Sequence, residues 1–201
     1  MLDFYITAFV TLFLIIDPLG LLPVFISVTQ GLEKTRKPIA LRACLVALGV
    51  LTVFGLAGER VLEFIGIGMP AFRISGGLLL FLTAVEMLFN KRAQRREEQS
   101  EEEAHDDPSV FPLATPLIAG PGAMAAMILL AGETHKDFNT TVVVMGAMFS
   151  VLAISLTLFL LATPAEKLLG KTGINVITRL MGMLLAALSV QFVVDLSLIH
   201  I

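Results

Sequence analysis

Six apolar stretches occupy most of this chain, at roughly 4–29, 39–58, 69–89, 110–132, 139–162 and 173–195. A helix needs about 20 mostly apolar residues to cross the hydrocarbon core of a bilayer. Inside that core every backbone N–H and C=O must find a partner within the protein, so a lone apolar stretch of this length crosses as a helix. The sequence therefore predicts an all-α polytopic membrane protein with six transmembrane helices. The hydrophobic share of 56% agrees, being above the roughly 45–50% of soluble domains. Residues 1–201 leave no room for a second sizeable domain. The bilayer is the expected partner, and a net charge of −3 offers nucleic acid no basic patch. "MLDFY" has no basic segment and no cleavage site follows, so the first apolar stretch is expected to remain in the mature chain.

Lys and Arg set the expected orientation, because they concentrate on the cytoplasmic side. The links after the first, third and fifth spans, with their flanks, hold ten, from Lys34 to Lys171; the opposite links hold Arg60 and Lys136. Loops 30–38, 90–108 and 163–172 are thus expected in the cytoplasm, with both termini outside. The longest link, "NKRAQRREEQSEEEAHDDP" (Asn90–Pro108), is dense in charge and lacks aromatics. It reads as a flexible, solvated connector.

The two halves resemble one another. "ERVLEFIGI" (Glu59–Ile67) matches "EKLLGKTGI" (Glu166–Ile174), and "RISGGLLLFLTAV" (Arg73–Val85) matches "RLMGMLLAALSVQ" (Arg179–Gln191). Three spans per half (1–89 and 109–201, flanking the loop 90–108) would insert the second copy upside down. Such inverted repeats occur in secondary transporters, whose sites lie where interrupted helices of the two halves meet near midplane.

The first span of each half carries such an interruption: "DPLGLLP" (Asp17–Pro23) and "TPLIAGPGAM" (Thr115–Met124). Pro removes a backbone donor and clashes with the preceding turn, and Gly relaxes the torsional limits. The backbone groups they free are tolerated only against protein or a water-filled cavity. Pro18, Gly20, Pro23, Thr115, Gly120, Pro121 and Gly122 are therefore candidate binding-site residues.

Asp17 lies within the first span, where a charge costs about 2.5–3.5 kcal/mol to insert. Two roles are open: binding a proton or cation, or capping the helix that restarts after the break, with Pro18 in its first position. The second break has no acid, but its helix N-terminus would offer N–H groups to a carboxylate or phosphate. Acceptors on one side and donors on the other suit a small zwitterion such as an amino acid. Glu86 either relays protons toward Asp17, or reaches the interface or pairs with Lys91 or Arg92. Asp195 reads as a boundary residue, and Arg73 and Arg179 as anchors or caps, with substrate contact as the alternative. Ser75-Gly76-Gly77, Gly146 with Ser150, and Gly182 with Ala186 read as packing faces, and Cys44 as a small buried residue.

"IDPLGLLPVF" and "TPLIAGPGAMAAMI", separated by a charged central loop, resemble the MarC family of integral membrane proteins across essentially the whole chain. The resemblance carries the family motif onto Asp17, Pro18, Gly20 and Pro23, and onto Pro116, Gly120, Pro121 and Gly122. Its relation to the lysine-exporter superfamily implies export of a small metabolite.

The leading expectation is a secondary transporter in a bacterial cytoplasmic membrane, coupled to protons through Asp17, with no cofactor and no metal. A regulatory or scaffolding membrane protein is the alternative, and both monomer and homo-oligomer stay open. An enzyme is not expected: no phosphate-binding loop or His–Glu metalloprotease motif occurs, His105, His135 and His200 fall in loops or at the terminus, and one cysteine cannot form a thiol-carrier pair.

Overall fold

The structure, a computed structural model, describes residues 1–32, 34–102, 107–132 and 138–199. His105, His135, Lys136 and His200 lie outside the described residues, as does the side chain of Asp195. Helices account for every regular element described: α1 (Leu2–Ile16), α2 (Leu22–Val28), α3 (Arg36–Phe64), α4 (Met69–Leu88), α5 (Lys91–Glu102), a wide-turned π-type segment (Ser109–Ile118), α6 (Pro121–Gly132), α7 (Phe138–Leu160) and α8 (Ala162–Ile199).

Four helices are long and apolar enough to cross a membrane: α3, α4, Asn139–Leu160 and Thr172–Val194. The π-type segment and α6 make a fifth candidate, bent by 55°. The first apolar stretch is shorter than expected as a helix. It is divided into α1 and α2 by a non-helical turn at residues 17–21.

Both breaks fall where Pro and Gly place them. Asp17 closes α1 in the left-handed conformation (φ 53°), which Asp tolerates better than most residues. Asp17 serves both sides of the break: its backbone ends the incoming helix, and its side chain accepts the Gly20 N–H three residues on, as a cap of the outgoing turn does. The α2 helix itself starts later than expected, after Leu21, so Pro23 rather than Pro18 occupies its first turn. In the second half, Phe111 and Thr115 leave the helical region. The chain then bends through Ala119 and Gly120, and α6 begins at Pro121, a favoured first position. A third interruption, not anticipated, lies at Gly170 inside α8 (φ 63°).

The central link is the largest departure. Lys91–Glu102 forms α5 instead of a flexible connector. It packs against α2, α4 and the π-type segment, and Arg96 is buried.

α4 and α8 make the most extensive helix contact. Small residues allow it: a Cβ on Gly182 would come within 3.1 Å of the Ala84 carbonyl oxygen, and one on Gly77 within 3.0 Å of that of Ser189. Gly76 sits against Leu129. Gly146, also expected on a packing face, meets nothing within 4 Å. Its neighbour Ser150 instead accepts a hydrogen bond from Tyr5 (2.9 Å), tying α7 to α1. Phe25 stacks on Phe159 at 4.5 Å, anchoring α2 to α7. Cys44 is buried, as expected.

Candidate functional site

A helix leaves its last four carbonyls without intrahelical partners, and α1 ends inside the protein. Two arginines of α5 meet those carbonyls. Arg92 donates to the Ile15 oxygen, and Arg96 donates to the Ile16 oxygen at 3.0 Å. Cations are favoured at the negative end of a helix dipole. Arg96 also donates to Asp17 Oδ2 at 3.1 Å, with side-chain exposures of 6% and 1%. Asp17 Oδ1 accepts the Gly20 N–H at 3.0 Å. The buried carboxylate thus has a buried cation partner and a backbone donor, and α5 covers the break.

Gly20 has no substitute here. A Cβ would lie 2.1 Å from Asp17 Oδ2, so any side chain would displace the carboxylate from Arg96. Gly120 plays the matching part in the second break, where a Cβ would lie 2.5 Å from the Pro116 carbonyl oxygen. The two breaks meet: the Cβ position of Gly122 is 3.5 Å from Ile15 Cγ2 and 3.8 Å from Thr83 Oγ1.

Two cavities flank this junction, and Arg96 lines both. The first, about 240 Å³, is walled by Thr83 and Glu86 of α4, by Arg92, Arg95 and Arg96 of α5, and by Gly120–Ala123 at the start of α6. The second, about 250 Å³, is walled by Asp17, Gly20 and Pro23, by Gln94 and Glu97 of α5, and by Asn175 and Thr178 of α8.

The candidate residues therefore divide. Glu86, Pro116, Gly120, Pro121 and Gly122 line the first cavity; Asp17, Gly20 and Pro23 line the second. Pro18 and Thr115 line neither. Glu86 does pair with a basic residue, but with Arg95 at 2.9 Å rather than with Lys91 or Arg92. Arg92, Arg95 and Arg96 were not anticipated as site residues. Two signals pointed to them: an intramembrane Asp needs a partner, and Arg92 and Arg96 are four apart, on one helical face.

The description "MarC family integral membrane protein" matches residues 2–198. The chain belongs to the MarC family. It is 36% identical over 197 residues to a UPF0056 membrane protein of Methanocaldococcus jannaschii, covering 96% of each chain. A UPF0056 membrane protein of Aquifex aeolicus is 37% identical over 195 residues, covering 95% of this chain and 91% of the relative. The UPF0056 inner membrane protein YhgN of Escherichia coli K12 is 38% identical over 195 residues, covering 94% of each. No solved structure matches the chain. As a member of this family it is an integral membrane protein, and the four long apolar helices agree with several crossings.

Proposed function

We propose that this protein is a secondary transporter that moves a small metabolite through the junction of its two broken helices. The observation that carries the reading is the buried Asp17–Arg96 pair: Arg96 lines both cavities, and Asp17 lines the second. A transporter needs a site open alternately to either side, and Arg96, shared by both cavities and held by a buried carboxylate, is placed to act as a gate. Protonation of Asp17 would remove the charge that holds Arg96. The α5 helix could then shift and join the cavities, which couples the gate to a proton.

The pattern of helix contacts supports an inverted repeat. Exchanging α1 with the π-type segment and α6, α3 with α7, and α4 with α8 maps the α1–α7 contact onto α3–α6. The same exchange returns α4–α8, α1–α6 and α3–α7 to themselves and maps α1–α8 onto α4–α6. Such exchangeability is what a transporter uses to present one site to two faces. The Lys and Arg distribution favours termini outside and α5 in the cytoplasm, and the name of the Escherichia coli relative favours the inner membrane.

A flux screen of small metabolites in proteoliposomes, with and without a pH gradient, tests this reading. Wild type should move at least one solute. Asp17→Asn should abolish the flux, because Asn can still accept the Gly20 N–H but cannot take up a proton or hold Arg96. Wild-type flux in Asp17→Asn would remove Asp17 from the mechanism. No flux of any solute would favour a regulatory or scaffolding role.

A further inference from the structure

We infer that the first cavity is an oxyanion site, in which Arg92 binds the carboxylate or phosphate of a small solute. The inference names the cargo class of the site proposed above and rests on that reading only for the transport of what binds.

The charges that line the first cavity are unequal. Three arginines line this cavity with a single carboxylate, that of Glu86. Glu86 is engaged by Arg95 at 2.9 Å, and Arg96 is held from behind by Asp17 at 3.1 Å. Arg92 has no carboxylate within ion-pair distance among the described residues. Its hydrogen bonds go to the Ile15 carbonyl and, at 3.1 Å, to Met87 Sδ, both neutral. A half-buried guanidinium whose hydrogen-bond partners among the described residues are all neutral carries a desolvation penalty that an arriving anion offsets. Its planar fork retains N–H groups of the geometry that grips a carboxylate or phosphate.

A second element points the same way. Gly120, Pro121, Gly122 and Ala123, the start of α6, form the wall near these arginines. The first N–H groups of a helix have no partner within it, and they carry the positive end of its dipole. A volume of about 240 Å³ is below the roughly 300–1,000 Å³ of pockets for drug-sized ligands, so the occupant is a small acid. A lipid headgroup supplies the same phosphate chemistry, and the test separates the two sources.

The protein carries its own reporter. Cys44 is its one cysteine and is buried, so a thiol-reactive fluorogenic dye reads unfolding of the full chain in maltoside detergent. Acetate or inorganic phosphate, at ionic strength matched with sodium chloride, should raise the unfolding midpoint by a few degrees. Phosphatidylglycerol should add no Arg92-dependent shift if the source is a soluble acid, and should supply that shift if the source is a headgroup. Arg92→Gln should abolish the response, Arg92→Lys should weaken it, and Arg179→Gln, an exposed arginine on α8, should retain it. If Arg92→Gln does not fold, the Arg92→Lys and Arg179→Gln pair decides. Responses in the Arg92 variants equal to wild type, or no response to either anion or to the lipid, would overturn the inference. Anion binding without flux in the proteoliposome screen would overturn the transporter reading and leave this site standing. Flux without Arg92-dependent binding would do the reverse.

Discussion

Asp17→Ala and Arg96→Ala should each destabilise the protein by about 3–5 kcal/mol, the loss expected when one member of a buried ion pair is left behind. Both side chains are almost fully enclosed, so water cannot replace the missing partner. Arg96→Ala also strips the Ile16 carbonyl of a donor, and a lost hydrogen bond of this kind adds about 1–3 kcal/mol. Asp17→Ala frees the Gly20 N–H in the same way. The double variant Asp17→Leu/Arg96→Met should recover much of the loss, since apolar replacement of a buried pair is often neutral or better. Recovery should stop short of wild type because both backbone groups remain unmet. Thermal unfolding of the four proteins, compared as a double-mutant cycle, reads the coupling directly. Additive single losses would show that the two side chains do not act as a pair.

Gly120→Ala should cost about 1–3 kcal/mol, the usual range for forcing an atom into a packed interior, and should lower transport more than stability. The new methyl would sit 2.5 Å from the Pro116 carbonyl oxygen, and a backbone atom cannot rotate away as a side chain can. Relief requires the bend between the π-type segment and α6 to open. That shifts Gly122 away from Ile15 and so separates the two breaks. Gly146→Ala is the matched control, because its Cβ would meet nothing within 4 Å. Unfolding midpoints and flux rates of the two variants test this. Equal losses at Gly120 and Gly146 would mean that the bend has no special role.

Much of the membrane architecture is legible in the sequence because apolar length is a one-dimensional property. α3, α4 and α7 follow directly from it. The breaks are legible because Pro and Gly act locally: the chain turns at Asp17–Leu21 and at Ala119–Gly120, within the predicted windows. The break at Gly170 was missed because no Pro marks it. The second role of Asp17 is not legible locally. Asp suits both a helix N-cap and a left-handed terminus, and in the fold its side chain accepts the Gly20 N–H while its backbone ends α1.

The charged link hid most of the site. Lys91–Glu102 has the composition of a solvated segment, and nothing local requires it to be buried. Its docking depends on a carboxylate and two carbonyls some 79 residues earlier, the separation of Asp17 and Arg96. Such a match cannot be read from either segment alone. Counting Lys and Arg treated Arg92 and Arg96 as loop charges, yet both serve the end of α1. Glu86 pairs with Arg95, one helical turn beyond the Lys91 or Arg92 that its position suggests, because α5 continues as a helix where a loose connector is expected.

Alternating access can be measured without knowing the cargo. In a Cys44→Ala background, Thr83→Cys places a nearly isosteric thiol on the first cavity. A membrane-impermeant maleimide is then applied from one face or the other, in right-side-out and inverted vesicles, over a range of pH. Alternating access predicts labelling from both faces, with the balance between them shifting with pH and that shift lost in Asp17→Asn. Labelling confined to one face under every condition would contradict it.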